Sequence, residues 1–297
     1  MKPIDVVVLT DKRYTNPTET DAYIDNVLLE DQLVKEALEK EGLSVLKLAW
    51  DDPNFDWNTT KYALFRTTWD YFDRFPEFAN WLKIVEQKTI LLNSAKTIHW
   101  NIDKHYLQDI AKAGVKIVPT HFMEKGDTRT LAELHQELGW KQTVLKPCIS
   151  GAARHTYKLN LQTLEKHETL YQKLIAEESM MLQPFMEQII TKGEISLIVI
   201  NGSYTHAILK KAKAGDFRVQ DDFGGSVHEY NPSQAEIDFA ENAVKACIEA
   251  PIYARVDIIW DNDDKLAISE LELIEPELWF RHNNDAATQL AKGIASL

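Results

Sequence analysis

The chain has 297 residues, and its 33 Lys and Arg against 46 Asp and Glu give a formal net charge of −13. A surface this acidic repels nucleic acid and anionic lipid, so an anionic ligand must be held by a local cluster of cations. More than one hydrophobic core is expected at this length, and the 44% hydrophobic and 27% charged content is that of an ordinary soluble globular protein. The two cysteines, Cys148 and Cys247, are too few for a disulfide framework or a zinc site of their own, although one Cys148–Cys247 disulfide stays open. Val6 to Leu9 is too short for the core of a signal peptide, and no apolar stretch is long enough to cross a bilayer. A cytoplasmic location is the expectation.

Residues 4–9 form a β-branched run. Residues 21–40 follow, with Ile24, Val27, Leu28, Val34 and Leu38 at helical spacing before Gly42. Residues 44–49, 62–65 and 89–92 read as further strands, and 75–86 as an amphipathic helix. Strands alternating with helices predict a parallel sheet with crossovers over about the first 95 residues. Helices at 102–113 and 128–138 are closed by Gly114 and Gly139. A strand at 142–146 runs into Pro147, and a helix at 161–177 precedes a strand at 180–183. The last third differs: strands 194–200 and 204–211 flank Asn201-Gly202-Ser203, a hairpin signal. Asn231 is expected to cap a helix with Pro232 at its first position, running to about Glu249. Strands 253–260 and 265–272 form a second hairpin across residues 261–264, with a three-residue loop or a shifted register as alternatives. No internal repeat or low-complexity linker is present.

With Trp260 paired to Lys265, Asp257 lies opposite Ile268 and Arg255 opposite Glu270. Period-two alternation then projects Arg255, Asp257, Glu270 and Glu272 from one face, with Asp257 the diagonal neighbour of the two glutamates. Two carboxylates ~4 Å apart repel by about 4 kcal/mol at an effective dielectric of ~20, so such a cluster needs a cation. Hard oxygen ligands in that number suit magnesium beside phosphate oxygens. The alternative is a solvated face with Arg255 paired to Glu270. The apolar flanks (Val256, Ile258, Ile259, Leu271, Leu273, Ile274) argue instead for central strands buried on their other side.

Lys146 ends a strand just before Pro147 and Ser150-Gly151-Ala152-Ala153, a loop able to bring backbone N–H groups and an ammonium onto phosphate. An ordinary exposed turn is the alternative. Neither a Walker A loop nor G-x-G-x-x-G occurs, which argues against a P-loop and a dinucleotide site. Lys210, Lys211, Lys213 and Arg218, followed by Gly224-Gly225, form the densest cationic stretch, either a phosphate site or a solvated loop. Met180, Leu182, Phe185 and Met186 around Gln183-Pro184 suit a base pocket or the core. Arg66-Thr67-Thr68-Trp69-Asp70-Tyr71 follows a strand, where open α/β sheets bind ligands. A loop that packs Trp69 and Tyr71 on its own lobe is the alternative. His99, His105, His155 and His282 show no ligand spacing, and there is no nucleophile elbow or zinc motif.

Three blocks carry a family resemblance: Thr68-Trp69-Asp70-Tyr71; Asn93 with Trp100-Asn101-Ile102-Asp103-Lys104-His105-Tyr106-Leu107; and Glu270 through Pro276. In their order the chain resembles the ATP-grasp superfamily over nearly its whole length. That superfamily includes glutathione synthetase and D-alanine–D-alanine ligase, and the likeness is strongest to the branch containing the D-cycloserine-forming cyclo-ligase. The resemblance implies an α/β fold of α+β lobes, with an N-terminal Rossmann-like pre-ATP-grasp substrate domain at 1–97. A central lid lobe at 98–183 and a C-terminal ATP- and magnesium-binding lobe at 184–297 would follow. It further implies Lys104 and Lys146 on the α- and β-phosphates, with Ser150, Gly151 and their neighbours through Ala153 as a lid. Gln183 to Met186, Phe185 included, would read adenine through the backbone, and Glu194 would contact ribose. Lys210, Arg218 and Arg255 would neutralise the transferring phosphoryl, and Asp257, Glu270 and Glu272 would ligate Mg2+. Arg66, Thr67, Thr68, Trp69 and Asp70, with Gly224 and Gly225, would face the acid. Three departures stand out: Ser196 where many members have Arg, Glu272 where the third metal ligand is usually Asn, and a glycine-poor lid.

The activity so implied is an ATP- and Mg2+-dependent ligase that activates a small, amino-acid-like carboxylic acid as an acyl phosphate for attack by an amine. Intramolecular cyclisation, a non-catalytic ATP-binding protein and a hydroxyl phosphotransferase are the rivals. No nucleic-acid or membrane partner is expected, and a homodimer is left open.

Overall fold

The computed structural model describes residues 2–219 and 224–297. Four strands, β1 (Ile4–Thr10), β2 (Val45–Ala49), β3 (Thr60–Thr67) and β4 (Ile90–Leu92), form an all-parallel sheet in the order β2-β1-β3-β4. Parallel strands covered on both faces read as unbroken apolar runs, and Val6 to Leu9 are all fully buried. Helix α1 (Ala22–Lys40) is capped by Asp21, whose side chain accepts from the Ile24 N–H at 2.8 Å. It packs on one face of the sheet, while α2 (Phe75–Val85) joins Trp50, Trp57 and Phe65 on the other. The C-terminal helix α9 (Asn284–Ala295) returns to the α1 face, placing Leu290 and Ile294 in one core with Val6, Val8, Val34 and Leu38.

After α3 (Ala95–Asn101) and α4 (Tyr106–Lys112), a second sheet contains β5 (His121–Met123), β6 (Gln142–Pro147), β7 (Tyr157–Asn160) and β8 (Met180–Pro184). Its order is β5-β8-β6-β7 with antiparallel pairing throughout. Helices α5 (Leu131–Leu138) and α6 (Leu164–Glu177) cover it through Leu131, Leu134, Tyr171 and Ile175. Short α7 (Gln188–Thr191) leads to a third, antiparallel sheet made of β9 (Glu194–Ile200), β10 (Ser203–Lys211), β11 (Ser226–Tyr230), β12 (Tyr253–Trp260) and β13 (Leu266–Glu272). Its order is β11-β10-β9-β12-β13. Helix α8 (Gln234–Lys245) covers one face through Ala240, Ala243 and Val244. Gly193, at φ +81°, turns the chain into β9 so tightly that a Cβ there would lie 2.3 Å from the Lys210 carbonyl oxygen.

Several predicted boundaries move. The helix expected at 102–113 starts only at Tyr106, because the Asp103 side chain accepts from the His105 N–H at 3.0 Å and closes a turn that isolates Lys104. The helix expected from Asn231 starts after Ser233, which forms a capping box with Glu236. The short strands β5, β7 and β11 and the helices α3 and α9 are not read from the sequence. Both cysteines are free.

Candidate active site

β12 and β13 pair with Arg255 opposite Glu272 and Asp257 opposite Glu270, while Trp260 pairs with Leu266. The expected register is corrected twice: the turn shifts it by one residue, and an irregularity between Asp257 and Ile258 leaves Ser269 as a bulge and adds another. An even total shift preserves side-chain parity, so Arg255, Asp257, Glu270 and Glu272 still share one face. Asp257 and Glu270 become direct cross-strand neighbours rather than diagonal ones.

The neighbouring strands complete this face. Lys210 pairs opposite Glu194, and its ammonium sits 2.6 Å from Glu194 and 3.3 Å from Asp257. Ser196, opposite Asp257, donates to its Oδ1 at 2.5 Å. Arg255 spans Asp257, at 2.9 Å, and Glu272. Lys104 reaches Glu270 at 2.9 Å and donates to the Ser150 carbonyl at 2.6 Å. Burial opposes ionisation of Asp257, yet Arg255 and Lys210 outweigh it and hold that carboxyl at about 2. Burial likewise opposes ionisation of Glu270, and Lys104 with Lys146 outweighs it and lowers that carboxyl. Glu272 goes the other way, to about 8, because burial and the charges of Asp257 and Glu270 exceed the pull of Arg255. Burial lowers Lys146, which among the described residues makes no ion pair.

This face is the floor of a cavity of about 510 Å³, a size that suits a small ligand. Lys104, Lys146, Ser150, Gly151, Gln183, Phe185, Glu194, Lys210, Arg218, Arg255, Glu270 and Glu272 all line it. Asp257 does not: at 2% exposure it lies under the floor, engaged by Ser196, Lys210 and Arg255. The expected three-carboxylate set is thus split. Glu270 and Glu272 keep 29% and 28% of their side-chain surface open, while the cations on Asp257 cover it. Two open carboxylates backed by a third still form a hard oxygen set that fits a divalent cation.

Val118, Val144, Phe185, Met186, Ile259 and Leu271 supply apolar lining, and the Phe185 ring lies edge-on to Phe217 and beneath the Lys158 ammonium. The Phe185 N–H donates to the Gln142 carbonyl at 2.9 Å, and its own carbonyl accepts from Asn262 at 3.0 Å. Phe185 therefore contributes its ring rather than the backbone contacts expected of it. Glu194 is similarly committed, to Lys210 and to the Ser269 hydroxyl at 2.7 Å. Above the floor, Gly151 presses on the Phe72 ring, and Ala152 and Ala153 hold left-handed φ of 47° and 53°. Arg218 lines the cavity with its guanidinium 2.7 Å from Asp216.

The 66–71 segment is corrected. Arg66, Thr67 and Thr68 are at most 2% exposed, and none lines the cavity. Arg66 lies 5.7 Å from the ring centroids of Tyr253 and Phe280 and donates to the Pro276 carbonyl at 2.9 Å. Thr67 donates to Thr10 at 2.6 Å, and Asp70 accepts from the Trp50 indole at 2.7 Å and pairs with Arg74. A buried backbone carbonyl needs a donor, which Arg66 supplies to Pro276, while Thr67 and Asp70 are engaged by other side chains of their own lobe. Trp69 does both, lining the cavity and donating to the Glu275 carbonyl at 2.8 Å. Gly224 and Gly225 do not line it.

The Asn93–Leu107 block is also a brace. β13 is an edge strand, and its outward backbone groups are met by side chains. Asn101 donates to the Leu271 carbonyl at 2.8 Å and accepts from the Leu273 N–H at 2.9 Å. The Tyr106 hydroxyl accepts from the Leu271 N–H at 2.8 Å, and Asn93 donates to the Leu273 carbonyl at 2.7 Å. Asp103, His105 and Cys148 offer ligand atoms within 4.8 Å of one another. Both imidazole nitrogens, however, are engaged, by Asp103 at 2.5 Å and Glu124 at 3.1 Å, and burial pushes the Cys148 thiol well up. Arg13, Tyr14, Tyr23, Glu275 and Trp279 line the cavity without having been singled out from the sequence. Arg13 and Tyr14 follow β1 with no periodic signal, whereas Glu275 was visible in the family block.

A cleft between an antiparallel lid sheet and a five-stranded sheet with a charged floor defines the class: the chain has the ATP-grasp fold and is similar to the carbon–nitrogen ligases of that superfamily. Residues 6–93 match the family model for the N-terminal domain of D-cycloserine synthetase DcsG, and residues 160–294 match the RimK-like ATP-grasp domain. The cycloserine biosynthesis protein DcsG of Streptomyces lavendulae is 27% identical over 276 residues, which cover 88% of this chain and 91% of that protein. The crystal structure of D-cycloserine synthetase DcsG superposes with a TM-score of 0.85 at 24% identity, covering 98% of both chains. D-alanine–D-alanine ligase from Bacillus anthracis, complexed with ATP, gives a TM-score of 0.63 at 12% identity, covering 99% of this chain and 96% of that one.

Proposed function

We propose that the protein uses ATP and Mg2+ to activate a small carboxylic acid as an acyl phosphate, which an amine-type nucleophile then opens to give an amide, ADP and phosphate. The observation that carries this reading is the cleft floor, where Lys104, Lys210 and Arg255 interleave with Glu194, Asp257, Glu270 and Glu272. Lys104 and Lys146 are positioned to hold the nucleotide's phosphates, while Lys210 and Arg255 offset charge on the transferring phosphoryl. Glu270 and Glu272 would hold magnesium with Asp257 behind them, and the bound ion would supply charge neutralisation at the phosphoryl oxygens. The 150–153 loop, resting on Phe72, excludes water from an intermediate that water would hydrolyse. We assign 1–97 to the acid, 98–183 to the lid and 184–297 to nucleotide and metal.

A panel of acids with candidate amines tests the reading. ADP and phosphate should form only when acid and nucleophile are both present, and hydroxylamine should trap a hydroxamate. ATP consumption with no hydroxamate for any acid would instead indicate phosphorylation of a hydroxyl. The match of residues 6–93 to the DcsG N-terminal domain favours a second version, in which the nucleophile lies on the acid itself. A product one water lighter than the single substrate, formed with no added amine, separates cyclisation from intermolecular ligation.

A further inference from the structure

The turn that carries Lys104 meets the strand end that follows Lys146. The Lys104 N–H donates to the Cys148 carbonyl at 2.9 Å, and the Cys148 N–H donates to the Ser179 carbonyl at 2.9 Å. This brings Asp103, His105 and Cys148 together, with a carboxylate oxygen, an imidazole nitrogen and the thiol all within 4.8 Å of one another. None of the three lines the cleft. The imidazole lies flat on Phe122, ring centroids 4.2 Å apart, which fixes its plane. Cys148 is buried, while His105 and Asp103 keep 28% and 38% of their side-chain surface open, a way in from solvent.

His105 faces two carboxylates, Asp103 from Nδ1 at 2.5 Å and Glu124 from Nε2 at 3.1 Å, and a neutral imidazole has only one N–H to give them. Among the described residues neither carboxylate has another ion-pair partner, since Lys104 is turned to Glu270 and Arg154 to Glu178. With the Nε2–H donated to Glu124, Nδ1 presents its lone pair to Asp103, an arrangement short of a second proton or a cation. A histidine that ligates a metal commonly donates its other N–H to a carboxylate in this way. The neighbouring thiol favours the cation. Burial keeps it protonated when alone, and coordination to a metal ionises it.

We propose that Asp103 Oδ1, His105 Nδ1 and Cys148 Sγ form a site for a thiophilic divalent cation of the zinc class, with water as the fourth ligand. Thiolate and imidazole select against magnesium, which prefers the all-oxygen ligands of the cleft floor. Binding releases the thiol proton to water and changes no oxidation state. The bound ion ties residues 103–105 to residue 148, and so stiffens the turn from which Lys104 reaches Glu270 and the Ser150 carbonyl. The test needs no turnover. The full reduced chain, in excess Mg2+ so that hard sites are filled, is titrated with Co2+ and then with Zn2+. Co2+ should bring up the near-ultraviolet band of a thiolate–cobalt bond and the visible bands of four-coordinate cobalt, with about one proton released per ion, and Zn2+ should bleach both. Cys148→Ser should lose the ultraviolet band, and Cys247→Ser, which removes the other thiol, should keep it. His105→Gln and Glu124→Gln, at positions nearer the surface, should each bind Zn2+ at least about tenfold more weakly, which decides the matter even if the Cys148 variant does not fold. No thiolate band in the wild-type chain, a band that survives Cys148→Ser or is lost in Cys247→Ser, or an unchanged Zn2+ affinity in the His105 variant overturns the assignment.

Discussion

The β12–β13 ribbon and the 66–71 segment after β3 both put charged and aromatic residues at strand ends, yet they use them in opposite directions. The ribbon turns Arg255, Glu270 and Glu272 into the cavity and meets each with an opposite charge. The 66–71 segment turns Arg66 away from it, to the Pro276 carbonyl between two aromatic rings. One stretch presents charge to the cavity; the other uses charge to hold the backbone beside it. Polar character alone does not separate the two. What separates them is which backbone groups nearby lack partners, since a buried carbonyl without a donor costs about 1–3 kcal/mol.

The sharpest way to break this contrast is to remove charge from the ribbon. Glu270→Gln should lower the ATP-dependent rate by about 1,000-fold with little change in the thermal midpoint. Asp257→Asn, which also leaves the buried Arg255 and Lys210 short of a counter-charge, should lose a comparable rate and lower the midpoint as well. Wild-type phosphate release by both variants would end the assignment of this face as the phosphoryl-transfer site. The converse holds for Arg66→Met: loss of a buried cation that serves Pro276 should reduce stability by about 3 kcal/mol, read from denaturant midpoints. A variant of full stability that had lost only its affinity for the acid would return Arg66 to the substrate site.

His206 extends the contrast to pH. It is 9% exposed and donates to the Leu278 carbonyl, and burial lowers its imidazole from 6.5 to about 4. As pH falls the unfolded chain takes up this proton first, so the contribution of His206 is whole above pH 6.5 and is lost on acidification toward 4. The loss should amount to about 3 kcal/mol at most, and a His206→Gln variant should show a correspondingly flatter stability profile in that window. The smallest effect concerns the lid. A Cβ at Gly151 would lie 2.6 Å from the Phe72 ring, so Gly151→Ala should cost about 1 kcal/mol of lid closure, seen as a several-fold higher KM for ATP. An unchanged KM would mean that the Phe72 contact does not matter for closure.

How much of the site was readable depended on whether the relevant order was local. The face shared by Arg255, Asp257, Glu270 and Glu272 survived a register shift of two because side-chain alternation has period two; a shift of one would have destroyed it. Lys146 and the 150–153 loop were readable as a strand end and a run of small residues. The depth of Asp257 beneath the floor was not, because it depends on Lys210 crossing from β10 and Ser196 from β9. Nor were the commitments of the Phe185 backbone to Gln142 and Asn262, residues some 43 and 77 positions away in sequence by their numbering.

From its order of residues alone the chain determined its alternating α/β lobe, its two C-terminal hairpins and the grouping of four ionisable residues, because periodicity and turn chemistry act over a few positions. Only the tertiary structure decided which polar residues face the ligand and which serve as braces. That choice is made by unpaired backbone groups and charges brought together from distant parts of the chain, such as the carbonyls of residues 274–276 that meet Tyr253, Trp69 and Arg66.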